Sequence, residues 1–229
     1  MPRKSKNAAK KQPKKSVDKK QNSRLKKLES FVYKTIENKQ VNYNNTNLAV
    51  SNSGVRDGQF LSVAPGVNDG AATGDTARIG NTITLMRQKF NFMITQNPTT
   101  PIDEWNRMRI LIVEALDGNE PILISDVLTY SNYSVYGDLV FSSPRTTKTA
   151  TNRRYKVHMD KTFELNRRST GASKVINFDA NWKNGKLVEF DNLSATPTNH
   201  QMSILFISDS AAVPHPLVNY AVRSTYKDA

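Results

Sequence analysis

The most concentrated chemistry in this sequence lies at its start. MPRKSKNAAKKQPKKSVDKKQNSRLKK, residues 1 to 27, holds Arg3, Lys4, Lys6, Lys10, Lys11, Lys14, Lys15, Lys19, Lys20, Arg24, Lys26 and Lys27 against one acid, Asp18. Cations this closely spaced neutralise the phosphates of a polyanion and release its counterions without reading base sequence. The stretch carries +11 of the chain's net +13, leaving 21 basic and 19 acidic residues, net +2, for everything after it. Charge on a tether, with a nearly neutral body behind it, is the arrangement of a nucleic-acid binder and not of an enzyme with a charged cleft.

Residues that do covalent or metal chemistry are sparse. His158, His200 and His215 are far apart in sequence and lack metal-ligand spacing. His158 falls in an expected strand and the other two in loops, so structural or surface roles are expected of all three. No GxSxG, phosphate-cradling glycine loop or paired-histidine zinc motif occurs, and no catalytic residue is assigned. Asp69, Asp75, Asp103, Asp117, Asp126, Asp138 and Asp209 sit in or beside expected loops, where solvation or turn formation accounts for most of them. A second basic group, Arg145, Lys148, Arg153, Arg154 and Lys156 with Arg167 and Arg168, has no aromatic platform beside it for base stacking. With no cysteine, disulfides and thiolate metal sites are excluded. No apolar run reaches the roughly 18 to 20 residues of a membrane span, and the basic start has no apolar segment behind it to make a secretory signal. Its lysine pairs do have the look of a nuclear-localisation signal.

The elements that position these groups follow from hydrophobic period. Residues 1 to 22 hold too few apolar side chains to repay ordering and are expected to be disordered alone. Leu25, Leu28, Val32 and Ile36 then share an arc of about 80° at helical period, so residues 23 to 39 are expected to form an amphipathic helix whose stripe needs a partner. From residue 40 the texture becomes short β runs broken by Gly, Asn, Asp and Pro. VNYNNTNLAV and QFLSVA read as early strands. NTITLMRQKFNFMIT reads as a long strand that changes parity near Arg87, which implies a bulge. MRILIVEAL, almost wholly apolar, is expected at the centre of a sheet covered on both faces. ISDVLTY reads as a short helix capped by Ser125. RYKVHMDKTFELN, MSILFIS and NYAVRSTY supply further strands, and Asn184-Gly185 between VINFDANW and KLVEF predicts a hairpin turn. Eight or nine strands with long irregular loops give an all-β domain over residues 40 to 229, a sandwich or barrel with the jelly roll favoured.

Basic arm, short helix and eight-stranded body, in that order, are the layout of a small icosahedral coat protein. VYKTIENKQVNY, GDTARIGNTITLMRQKF, INFDANWKNGKLVEFDN and NYAVRSTYKDA resemble, in order, stretches of coat proteins of the satellite tobacco necrosis virus type, a family also found in some small circular single-stranded DNA viruses. The resemblance implies a single jelly roll of two four-stranded antiparallel sheets, assembled as a sixty-subunit T=1 shell with its arms inside. It also implies calcium at subunit interfaces, with Glu37 and Asp228 as ligands.

On this reading the chain is a virion capsid protein whose partners are copies of itself and a single-stranded viral genome, DNA or RNA, with no membrane insertion. Sixty arms of +11 would neutralise about 660 phosphates, which suits a cargo on the order of a thousand nucleotides once small ions contribute. The alternative is a non-viral nucleic-acid-binding β domain with a histone-like basic tail. A carbohydrate-binding jelly roll or hydrolase would instead need an aromatic or carboxylate-lined groove, for which Trp105 and Trp182 are the only tryptophans.

Overall fold

The computed structural model describes residues 19–28, 38–58, 60–66, 77–97, 104–116, 121–128, 140, 155–167, 172–200 and 202–228. The chain divides into two units, Met1–Glu37 and Asn38–Ala229. In the first, residues 19–28 form a helix, α1, with every side chain exposed. It starts before the expected position, taking in Lys19 to Asn22 of the expected disordered arm. The pattern also placed Asn38 and Lys39 at the helix end, and here the structure differs: both open the first strand, opposite Lys227 and Tyr226 of the last. A long-range ladder outweighs a local helical period. Residues 29–37 of the expected helix lie outside the described residues.

The second unit contains eight strands: β1 (Asn38–Ala49), β2 (Val55–Asp57), β3 (Thr82–Thr95), β4 (Trp105–Ala115), β5 (Tyr155–Asn166), β6 (Ser173–Glu189), β7 (Met202–Ser208) and β8 (Leu217–Asp228). They form two four-stranded sheets with orders β1-β8-β3-β6 and β2-β7-β4-β5, every pairing antiparallel. Each connection crosses from one sheet to the other except β4 to β5, which are neighbours. Eight antiparallel strands wound in this order are a jelly roll, the fold expected from the sequence.

Alternating side chains fill the space between the sheets. Phe90, Phe92 and Ile94 of β3 and Val218, Tyr220 and Val222 of β8 face Met108, Ile110 and Ile112 of β4 and Ile204 and Phe206 of β7. The rings of Phe92, Phe206 and Tyr220 lie with centroids 5.4–5.9 Å apart. Every residue of β4 from Met108 to Ala115 is buried. Its second face, with Leu205 and Ile207 of β7, packs under Ile122, Val127, Leu128 and Val140. The continuous apolar run of the sequence is thus a strand covered on both sides.

One expected irregularity is present, and three other expected features take different forms. The parity change in β3 is a bulge, with the register shifting between Leu85 and Arg87 against both neighbours. Asn184-Gly185 is not a hairpin turn. Both flanking runs belong to β6 and both pair with β3, Ser173 to Asn181 opposite Thr95 to Arg87 and Lys186 to Glu189 opposite Leu85 to Thr82. Gly185 sits inside the extra loop of chain at φ +72°, and a Cβ there would lie 2.3 Å from Thr84 Cγ2. QFLSVA is not a strand among its described residues: Phe60, Leu61 and Val63 are buried as core plugs, and the strand lies earlier, at Val55–Asp57. The short helix α2 (Ile124–Val127) forms, but Leu123 precedes it and the backbone N–H of Leu123 donates to Asp126 Oδ2 at 2.9 Å, so Ser125 is not its cap.

Candidate nucleic-acid interface

The first described cations are those of α1. At 100° per residue, Lys19, Lys20, Arg24, Lys26 and Lys27 spread over an arc of about 160°, with Leu28 about 40° beyond one edge and Leu25 opposite its middle. Both leucines are more than half exposed. The helix therefore offers a broad cationic face with its two leucines on the other side. Arg3, Lys4, Lys6, Lys10, Lys11, Lys14 and Lys15 lie outside the described residues.

In the second unit, the outer face of β1-β8-β3-β6 is bare among the described residues, unlike that of the other sheet. Alternation points Lys89, Asn91 and Met93 of β3, Arg223 of β8, Asn42 and Asn44 of β1, and Asn177 and Asp179 of β6 away from the core, all exposed. The ladders set Asn42, Arg223, Lys89 and Asp179 side by side in one row across the four strands. Arg87 Nε spans both oxygens of Asp179, at 2.8 and 2.9 Å. That contact raises the arginine pKa and lowers the aspartate's. Arg223 Nε donates to Asn42 Oδ1 at 3.1 Å.

Two of the three histidines, the buried His200 and the half-buried His158, belong to a polar cluster between the sheets. Glu114 of β4, 3 % exposed, accepts His158 Nε2 at 2.6 Å on one oxygen and the Lys186 ammonium of β6 on the other. His200, which the sequence placed in a polar loop, is in fact buried, 3.5 Å from the same carboxylate. The Trp182 ring stands edge-on to both imidazoles. Burial first, and neighbouring lysines second, push His158 down to about 4 and His200 to about 3, so both are neutral at pH 7. Glu114, His158 and Lys186 satisfy one another, whereas among the described residues His200 Nδ1 has no hydrogen-bond partner and its Nε2 reaches only Gln88 Oε1, 3.5 Å away. His215 accepts or donates at Ser210 Oγ, 3.0 Å away. Asp57, which the sequence did not single out, anchors β2 by accepting from Tyr43 and Asn45 at 2.9 Å and from the Tyr220 hydroxyl. It borders a cleft of about 760 Å³ that also reaches Arg56 and His200.

Of the two carboxylates assigned to calcium, Glu37 lies outside the described residues. Asp228 holds the Lys39 ammonium at 2.5 Å on Oδ2 and the Ile79 N–H at 3.3 Å on Oδ1. Among the described residues no three His, Cys, Asp or Glu side chains converge on one point. A calcium ion takes six to eight oxygens, and the surroundings of Asp228 within one chain do not fit it. Of the loop aspartates, Asp126 binds the Leu123 N–H and Asp209 the Arg107 N–H, at 2.9 and 2.8 Å. Asp69, Asp75, Asp103, Asp117 and Asp138 lie outside the described residues, as do Arg145, Lys148, Arg153, Arg154 and Arg168 of the second basic group.

Arg78, from GDTARIGN, is 2 % exposed and has a structural role. Its guanidinium donates to the carbonyls of Gly80, Asp191 (3.0 Å) and Ser194 (2.7 Å) and to Asn81 Oδ1 (3.2 Å), and lies 4.7 Å from the centre of the Phe190 ring. It ties the start of β3 to the loop after β6.

No protein-family model matches the chain. No curated protein matches it either. Among solved structures, that of Desmodium yellow mottle tymovirus is similar over 85% of this chain and 88% of its own, at 12% identity and a TM-score of 0.40. The cryo-EM structure of Broad Bean Stain Virus is similar over 80% and 84%, at 8% identity and a TM-score of 0.30. Likeness at that level assigns neither fold nor function, which rest on the chain's own strands and charges.

Proposed function

We propose that this chain is the capsid protein of a small virus, its jelly roll forming an icosahedral T=1 shell of sixty copies and its basic arm packaging a single-stranded genome. One observation carries the reading: eleven of thirteen net positive charges lie in residues 1 to 27, ahead of a nearly neutral chain that folds as a jelly roll. A neutral sandwich can pack against copies of itself, whereas the clustered arms repel one another until phosphates offset them. Assembly and packaging are then thermodynamically linked. The family resemblance of residues 32 to 43, which run into β1, and of the β3 start, β6 and β8 supports the same reading. It makes the protein a structural component of the virion and its partners other copies of the chain and the genome.

Static light scattering on purified protein tests this first. Particles of megadalton mass support a shell, and a species of tens of kilodaltons supports instead a nucleic-acid-binding β domain with a basic tail. Deleting residues 2 to 27 is expected to remove most packaged nucleic acid at moderate salt, and an unchanged nucleic-acid content overturns the role given to the arm. Interfacial calcium at Asp228 would require Lys39 to be displaced on assembly. Particles with the same diameter and Tm with and without a chelator remove calcium from the reading.

A further inference from the structure

We propose that the bare outer face of the β1-β8-β3-β6 sheet is a second nucleic-acid contact, at which Lys89 and Arg223 hold the phosphates of a single strand. This inference rests on the packaging role of the arm but concerns a surface of the jelly roll itself.

The strongest indication is an unfavourable pairing left standing. Lys89 and Arg223 are directly opposite each other in the β3–β8 ladder and both are exposed. Like charges so placed destabilise a sheet. The carboxylate that could relieve them, Asp179, lies opposite Lys89 on the other side, but its two oxygens are engaged by Arg87 and it offers Lys89 only a weaker Coulombic attraction without direct contact. Among the described residues Lys89 has no ion-pair partner, and Arg223 spends only Nε, on the neutral Asn42. An anion resting over this pair turns a repulsion into two charge-assisted contacts.

The surroundings suit a polynucleotide. The next row of the sheet is Asn44, Ala221, Asn91 and Asn177, about 6.8 Å further along the strands. Its amides both donate and accept, so they can meet base edges or sugar oxygens without choosing a sequence. Among the described residues no aromatic side chain points outward beside these rows, so contact is by phosphate and amide and not by stacking. A second copy of the chain is the poorer occupant. An isologous interface would set four cations near one axis, where interface cores are depleted of charge.

The test uses the full chain and a labelled oligodeoxythymidine of about 20 nucleotides, titrated by fluorescence anisotropy from about 50 to 200 mM salt. Lys89→Gln with Arg223→Gln is expected to lower the slope of log K against log salt by about 1.4, two phosphates at about 0.7 each. Its Tm should be unchanged or slightly higher, because the pair is exposed and mutually repelling. Cross-linking with a 4-thiothymidine probe should place adducts on β3 and β8 as well as on the arm. Adducts confined to the arm, with affinity and slope equal to wild type, overturn the proposal and leave the arm's role intact. Loss of neither binding nor slope when Lys10, Lys11, Lys14 and Lys15 are also changed to Gln overturns the packaging reading itself. A changed sedimentation coefficient of nucleic-acid-free protein, with oligonucleotide binding unaltered, marks the face as a contact between copies and overturns the proposal.

Discussion

His158 shows how burial turns an ordinary side chain into a pH-dependent support. It meets Glu114 from the neighbouring strand of the same sheet, with Lys186 of the opposite sheet and His200 at the same carboxylate and Lys156 nearby. Its folded value of about 4 lies below the ordinary 6.5, so between those pH values the unfolded chain binds a proton that the folded chain refuses. Stability rises with pH wherever the unfolded state binds more protons. The contribution is therefore complete above about pH 6.5 and is lost as pH falls toward 4. His200, held lower still, acts in the same sense. Replacing His158 with Gln, which keeps a donor for Glu114 but cannot titrate, should flatten the fall in Tm between pH 6.5 and 4, as read by calorimetry. An equally steep fall in the variant shows that other groups govern the acid limb. None of this cluster was legible as a unit in the sequence, because Glu114, His158, Lys186 and His200 come from separate strands and a loop that only the fold brings together. Arg78 was visible within a motif, but its task was not: two of the three carbonyls it binds belong to residues more than a hundred positions away.

Strands were legible wherever alternation continued for many residues, as in β3, β5 and β8, and where a nearly unbroken apolar run marked the buried β4 and β7. The misreadings fall where a local signal meets a long-range ladder. Asn-Gly is good turn chemistry, but β3 is long enough to pair with the runs on both sides of it, so the dipeptide becomes an irregularity inside β6. The apolar residues after β2 alternate like a strand but serve as plugs for two core clusters. Gly185 tests the β6 account. Alanine there must adopt φ +72° and place a Cβ 2.3 Å from Thr84 Cγ2, so backbone strain and overpacking act together. A loss of about 2–4 kcal/mol is expected in urea unfolding, larger than most single substitutions produce. A near-neutral result would mean that β6 is not held against β3 in this register. Because the outer face of the sheet and the cluster at Lys186 both depend on that register, the same variant should also weaken the acid limb described for His158.

At the scale of the molecule, composition carried the most. The division of charge at residue 27 needs no structure to see, and the fold adds that the neutral part is one complete jelly roll. What the sequence could not display is the outer face of the sheet, because Lys89 and Arg223 are 134 positions apart and become neighbours only through the β3–β8 ladder. If packaging is governed by charge on the tether, cargo should scale with it. Changing Lys10, Lys11, Lys14 and Lys15 to Gln takes four from the arm's +11 and leaves +7. Because each cation neutralises about one phosphate, the packaged length should fall by roughly a third, provided the shell still closes. Extraction of the nucleic acid from purified particles and sizing on a denaturing gel measures that length directly, with particle diameter from light scattering as the check on closure. Full-length cargo in particles of unchanged size would mean that phosphate charge is balanced elsewhere, by small ions or by the sheet face. A proportional shortening would establish the arm as the element that sets capacity.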